Sequence, residues 1–306
     1  MTAVMSISEL LGDMPAAEFV REYFLKLPFS RVGGCLGLTQ CGSWQTVHGI
    51  VERGGADLMV VKRGRRWPES RTPAFDELRA LHGDGHTIVI RHAERHDEQI
   101  GALAQEFVAE FGGAVDAHLY CTPADQFGFG WHYDAEDVFI LQCEGSKQYS
   151  LRKNTVNPWP LLEAMPADLR YEREIMPLLR CTLNAGDWLY IPAGYWHRAD
   201  SQQDSISLAM GLLTPAAIDV FDFLRGRLLA SLRWRQRLPS PGAASGSPTE
   251  DIEQQYQELF ADLGRDLALV MRDPKLAADF LAARRAANAP AAAGAATGPR
   301  PTGVSH

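Results

Sequence analysis

Hydrophobic and polar positions change period along the chain, and the changes mark its organisation. Residues 15–27 (PAAEFVREYFLKL) set Phe19, Tyr23 and Phe24 at helical spacing behind a proline suited to a first turn, which predicts a helix. Short apolar runs at 58–62 (LMVVK) and 87–91 (TIVIR) predict strands, and 73–82 and 97–112 predict helices. The second of these helices opens on acidic residues, as the helix dipole favours. Residues 1–114 therefore read as a mixed α/β N-terminal region.

From 115 to 214 the pattern shortens. AVDAHLYCT, VFILQC, KQYSLR, DWLYIP and SISLAMGLL are strand-like runs separated by Gly, Pro, Asn and Asp, which predicts a β-sandwich or barrel. CEGSK (143–147) lies between two of these runs and predicts a hairpin loop bent at its glycine. Thr214-Pro215 predicts the start of a long helix to about Arg237, with Ile218, Phe221, Leu224, Leu228 and Leu232 on one face. That face packs either on the barrel or on a second copy. Residues 238–248 have linker composition, 249–285 are helical again within a C-terminal region taken as 215–285, and 286–306 form a low-complexity tail. The class is α+β.

Composition narrows the function classes. The chain has 306 residues, 46% hydrophobic and 22% charged, and carries no apolar run of the ~18 residues that a membrane span needs. Its net charge of −8 makes a nucleic acid backbone a poor default partner, despite local basic clusters at 61–67 and 224–237. Five cysteines without C-x-x-C spacing fit neither a disulfide framework nor a zinc knuckle. With no secretory pattern in the first 25 residues, the expected compartment is the cytoplasm.

Four His-x-acid triplets occur, at His82, His92, His96 and His132, where composition alone gives about one. The triplet by itself therefore selects nothing. His92 and His96 would share one helical face, but the glutamate stands two residues past His92, not next to it as a zincin requires. His132 and Asp134 would share one face of a strand about 7 Å apart. His197, just beyond GDWLYIPAGYW, can complete a set of two imidazoles and one carboxylate, an arrangement suited to non-haem Fe(II) with open positions. Lys147 then faces either solvent or the metal, and inside a barrel it would need an anion.

Residues 117–154 and 185–201 together resemble the JmjC-type, cupin-like 2-oxoglutarate oxygenases, nearest the ribosomal oxygenases, which hydroxylate histidine or arginine side chains of ribosomal proteins. The motifs Y-x-T-P, H-x-D, D/E-x-F-x-x-Q, G-x-K and G-D-x-L-Y-I-P-x-x-x-x-H occur in order. The resemblance implies a double-stranded β-helix (cupin or jelly roll) over 115–214. It implies Fe(II) held by His132, Asp134 and His197, with 2-oxoglutarate and O2 as co-substrates. Lys147 would pair with the distal carboxylate of 2-oxoglutarate, aided by Tyr120, with Ser207 also lining the pocket. His118 stands where the family often has an amide side chain, and with Asp137 and Trp196 it is a candidate substrate contact. In place of the winged helix of the ribosomal branch, only about 36 helical residues follow the linker.

These readings imply an oxygenase that hydroxylates a side chain of a protein or peptide and converts 2-oxoglutarate to succinate. A ribosomal protein and a peptide natural-product precursor both suit. The alternatives are a small-molecule hydroxylase and a non-catalytic metal- or ligand-binding cupin. If two chains pair as a homodimer, the C-terminal helices, with 215–237 first, are the candidate surface.

Overall fold

The computed structural model describes residues 5–68, 71–165, 179–240 and 249–288. Two compact units divide at Thr214–Pro215. The first contains helices α1 (Ile7–Leu11), α2 (Ala16–Glu22), α3 (Trp44–Arg53), α4 (Phe75–Gly83) and α5 (Glu98–Phe111). Its strands are β1 (Phe29–Arg31), β2 (Asp57–Lys62), β3 (Arg65–Arg66), β4 (Thr87–Arg91), β5 (Ala114–Thr122) and β6 (Asp137–Glu144). They continue with β7 (Ser146–Arg152), β8 (Leu179–Asn184), β9 (Trp188–Ile191), β10 (Trp196–Ser201) and β11 (Ser205–Leu213).

Eight strands form one sheet in the order β1-β9-β6-β11-β5-β4-β2-β3, and β10-β7-β8 form a second. All pairings are antiparallel, which gives the expected α+β double-stranded β-helix. The expected boundary at residue 114 falls inside the larger sheet, where Ile88 of β4 pairs with Cys121 of β5. The first 114 residues thus extend the barrel sheet as well as covering it.

Strand alternation sorts the large sheet into two faces. Ala117, Leu119 and Cys121 of β5, Phe139 and Leu141 of β6, Trp188 and Tyr190 of β9, and Leu208, Met210 and Leu212 of β11 join the helices in one apolar core. Phe19 of α2 is fully buried there, with its ring 5.3 Å from Tyr190 and 5.9 Å from Phe139. The opposite face supplies Ile140, Leu189, Ile191 and Ala209 to a smaller cluster with Tyr149, Leu151 and Leu183 of the second sheet. The space left between the sheets beside that cluster holds the site described below.

Several expectations change. The helix predicted over 15–27 ends at Glu22, and Leu25 takes the left-handed conformation (φ 62°) where the chain turns. CEGSK is not a hairpin between paired strands. β6 and β7 lie in different sheets, and Gly145 (φ 65°) makes the corner between them. A side chain at 145 would collide with the Asp204 carbonyl, so only glycine fits.

In the second unit, the helix expected over 215–237 is α6 (Asp219–Leu228), begun by the Asp219 carboxylate accepting from the Ala216 amide and weakened in its last turn by Gly226. A separate short turn follows at Arg233–Arg235. The helical segment at 249–285 is two helices, α7 (Thr249–Met271) and α8 (Leu276–Asn288), broken at Asp273-Pro274 because proline cannot continue a helix. Arg227 pairs with Asp273 and Asp279, and the Trp234 indole donates to Asp266 over 2.7 Å. Most of the expected linker at 238–248 and nearly all of the tail lie outside the described residues. No helix of the described residues is long and apolar enough to cross a membrane.

Candidate active site

His132, Asp134 and His197 converge, with one ligand-type atom from each lying within 4.8 Å of the others. They do so without the strand geometry expected of His132-x-Asp134. β6 begins only at Asp137, and both residues belong to the connection before it. The position of His132 comes from an isolated bridge to His197, with the His132 amide donating over 3.1 Å and the His197 amide over 2.8 Å. Asp134 is tied in turn by its carbonyl, which accepts from the Gly194 amide at 2.8 Å. Two ligands are thus placed by pairing with the segment that supplies the third.

The hydrogen bonds also select the tautomer. His132 Nδ1 lies 2.9 Å from the Gly130 carbonyl and His197 Nδ1 lies 3.0 Å from the Tyr195 carbonyl. A carbonyl only accepts, so each Nδ1 carries a proton and Nε2 is the atom each ring turns toward a metal. Burial first, then the neighbouring His197, lower the His132 pKa and keep its ring neutral. His197 Nε2 stands 3.4 Å from Asp134 Oδ2. Two Nε2 atoms and one carboxylate on a single side of a cavity fit a divalent metal with positions left open.

The cavity has a volume of about 250 Å3. One end is built by Lys147 and Tyr149 of β7 with Tyr120 of β5 and Ser207 of β11, which sit opposite each other in register. Lys147 is only 4% exposed, and its Nζ lies 5.9 Å from the centre of the Tyr120 ring. No carboxylate among the described residues pairs with it. Burial brings its pKa down to about 8. A buried ammonium facing a cavity with no partner is costly unless an anion arrives. A dicarboxylate held between the metal centre and Lys147 meets both demands, so the residues present fit Fe(II) with 2-oxoglutarate. Ser207 donates to Gln142 Oε1 over 2.9 Å, and burial pushes the Tyr120 phenol up.

The remaining expected contacts divide. His118 lines the cavity, with its Nε2 buried and without a hydrogen-bond partner among the described residues, and burial lowers its pKa to about 4. Asp137 does not face the cavity. It is 1% exposed and accepts from the Tyr190 hydroxyl at 2.5 Å and the Ala193 amide at 3.3 Å, on the core side of β6. Trp196 is also off the cavity wall, edge-on to Tyr133 with ring centres 4.7 Å apart. Strand parity explains both, because the neighbours Glu136 and His197 take the cavity side.

Glu136 went unsuspected in the sequence, and Asp116 likewise; both line the cavity at the end away from Lys147. Burial, then Asp134, Asp116 and Asp137, push the Glu136 carboxyl up to about 8. The parity of β5 would have revealed Asp116, since Tyr120, His118 and Asp116 alternate on one face. The zinc reading of His92 and His96 does not hold. His92 opens a short 3-10 turn at φ 53°, and its neighbours are Asp116 (3.1 Å) and Glu94 (3.6 Å), not His96. The Glu94 carboxylate is already taken by the Ala117 amide at 2.8 Å and by Arg95 at 3.2 Å.

Comparison with known proteins agrees with this geometry. Residues 91–220 match the family model described as the JmjC domain. Ribosomal oxygenase 2 of Bos taurus is 35% identical over 42% of this chain and 26% of its own length. The lysine-specific demethylase and histidyl-hydroxylase NO66 of Dictyostelium discoideum is 34% identical over 48% of this chain and 28% of its own. The chain thus spans little more than a quarter of these relatives. Among solved structures, the Escherichia coli ribosomal oxygenase YcfD, in complex with cobalt and 2-oxoglutarate, superposes with a TM-score of 0.59. It is 18% identical and covers 86% of this chain and 68% of its own. Residues 91–220 are thus similar to a JmjC domain, on a fold shared with YcfD, and His132, Asp134 and His197 lie within the matched stretch.

Proposed function

We propose that the chain is an Fe(II)- and 2-oxoglutarate-dependent oxygenase that hydroxylates a side chain of a protein or peptide. The observation that carries this reading is the His132, Asp134 and His197 centre together with a buried Lys147 in the same cavity that meets no carboxylate among the described residues. Bound there, Fe(II) with 2-oxoglutarate and O2 supplies decarboxylation to succinate and CO2 together with transfer of an oxygen atom to a C–H bond. The protein's part is to hold and orient. The Gly130 and Tyr195 carbonyls fix the two imidazoles. Lys147 and Tyr120 receive the far carboxylate, and the apolar wall of Val138 and Ile140 keeps water off the rest.

Relatives named ribosomal oxygenase and histidyl-hydroxylase favour a protein side chain over a small metabolite. The purely binding cupin is the weaker reading, because a binder has no use for open metal positions beside an anion anchor. Five unpaired cysteines, four of them buried, suit a reducing cytoplasm. The exposed side chains of Ile218, Phe221 and Leu232 support pairing of two copies through the C-terminal helices. Sedimentation of an Ile218→Asp/Phe221→Asp variant checks that pairing. The activity is tested by succinate formation with Fe(II) and 2-oxoglutarate and by a mass gain of one oxygen on a substrate peptide. Succinate formation that persists in His132→Ala would sink the reading.

A further inference from the structure

The basic cluster at 61–67 plays no part in the metal centre. It forms the hairpin of β2 and β3, the last two strands at one edge of the large sheet. Strand register carries the cavity face of the sheet out to this edge. Tyr120 of β5 pairs with Val89 of β4, and Val89 pairs with Met59 of β2. Two positions along β2, Val61 pairs with Arg66 of β3. Residues directly opposite one another share a face, as do residues two apart on a strand, so Tyr120, Met59 and Arg66 lie on one side. Arg65, the neighbour of Arg66 on β3, belongs to the other side and lines neither cavity.

A second cavity, of about 190 Å3, opens at this edge and is walled by Met59, Arg66, Arg91, Trp67, Arg71 and Pro73. The first three also line the larger cavity, so the two spaces share a wall. Met59 lies two strands out from Tyr120, about 10 Å, a span that an extended segment of a few residues covers. The guanidinium groups differ in their partners. Arg71 donates to Glu77 over 2.6 Å and lies 5.7 Å from the centre of the Trp67 ring. Arg91 donates to Asp57 over 2.7 Å, yet its Nε is buried without a hydrogen-bond partner among the described residues. Arg66 is exposed and meets no carboxylate among them. A buried donor left unmatched costs stability, and a guanidinium fork suits a carboxylate.

We propose that this second cavity is a carboxylate subsite, in which Arg66 and Arg91 receive an aspartate or glutamate side chain of a polypeptide spanning the two cavities. Identifying that polypeptide with the substrate rests on the oxygenase reading, but the choice of a carboxylate does not. Met59, Trp67 and Pro73 offer apolar surface to the stem of such a side chain. A nucleic acid strand would bring many phosphates against a chain of net charge −8, whereas a single carboxylate needs only this local patch.

The probes are acetyl-Ala-Ala-Glu-Ala-Ala amide, its glutamine counterpart and inorganic phosphate, titrated into the full chain and followed by ligand-observed NMR. Lys147→Met is the background throughout, so that no carboxylate is drawn to the other end of the larger cavity. Circular dichroism and the unfolding midpoint report the fold of each variant. The glutamate peptide is expected to bind at least about tenfold more tightly than the glutamine peptide. Arg66→Gln should bring that ratio to within about twofold. Arg65→Gln, which removes the same charge from the opposite face of the same strand, should keep it above about fivefold. Equal binding of the two peptides or an undiminished ratio in Arg66→Gln would overturn the proposal. So would an equal loss in Arg65→Gln, the mark of diffuse surface charge, or phosphate binding as tight as that of the glutamate peptide. If the wild type forms no succinate with Fe(II) while the peptide preference stands, the oxygenase reading fails and the subsite does not.

Discussion

Lys147 illustrates how one residue can be a burden to the fold and a requirement for the site. Its ammonium is buried with no carboxylate among the described residues to pair with it, and burial lowers its pKa from 10.5 to about 8. Between those two values the unfolded chain holds more protons than the folded one, so this residue's destabilising effect fades as pH rises from 8 toward 10.5. Lys147→Met should therefore stabilise the metal-free protein by about 1–2 kcal/mol at pH 7. Chemical denaturation should show that gain shrinking by pH 10. The same substitution should abolish 2-oxoglutarate binding. In the wild type, binding needs the charged form, so affinity measured by calorimetry should fall as pH is raised above about 8. Affinity that is flat from pH 7 to pH 9.5 would detach Lys147 from the co-substrate.

At the scale of elements, the site depends on corners and short connections more than on strands. Gly145 turns β6 out of the large sheet into β7 of the small one, and so delivers Lys147 across the cavity. Gly145→Ala is expected to cost at least about 2 kcal/mol, from the left-handed conformation and the clash with Asp204. Urea unfolding measures it. Tyr190 does comparable work between helix and sheet, with its hydroxyl donating to Asp137 and accepting from the Leu25 amide at 2.7 Å. Tyr190→Phe takes one partner from the buried Asp137 carboxylate and another from the partly buried Leu25 amide, and should cost about 1–3 kcal/mol. A loss below 0.5 kcal/mol, roughly the limit for a dispensable contact, would show that these bonds are not what anchors α2.

The strands with continuous apolar runs were legible because burial on both faces leaves a dense pattern, as in VFILQC and SISLAMGLL. β8 and β10 were not, since LRCTLN and WHRADS lie in the smaller sheet and keep polar faces. α3 was hidden by the β-branched Thr46, Val47, Ile50 and Val51 and by Gly49; its helix is held by burial of Val47 and Ile50 instead. The metal ligands were legible by type and spacing, but not by mechanism. They meet through a bridge between two loops, a non-local pairing that periodicity does not encode. Glu136 stayed invisible because a carboxylate beside a strand looks like a solvent-facing residue until the opposite strand is known.

At the scale of the whole molecule, the chain separates at Thr214, one residue past the end of β11. Every described residue of the cavity wall precedes that point. A chain ending at Thr214 should therefore fold and keep its metal-dependent affinity for 2-oxoglutarate within about threefold, a difference under 1 kcal/mol. Loss of the fold would show that the C-terminal helices complete the core. The central claim is that His132, Asp134, His197 and Lys147 act together as one metal and co-substrate centre. Its most direct measurement is the consumption of 2-oxoglutarate and formation of succinate by the full chain, with and without Fe(II), in wild type, His132→Ala and Lys147→Met. The account predicts equimolar succinate only with Fe(II), and only in wild type. Succinate formation that is independent of Fe(II), or undiminished in either variant, would contradict it.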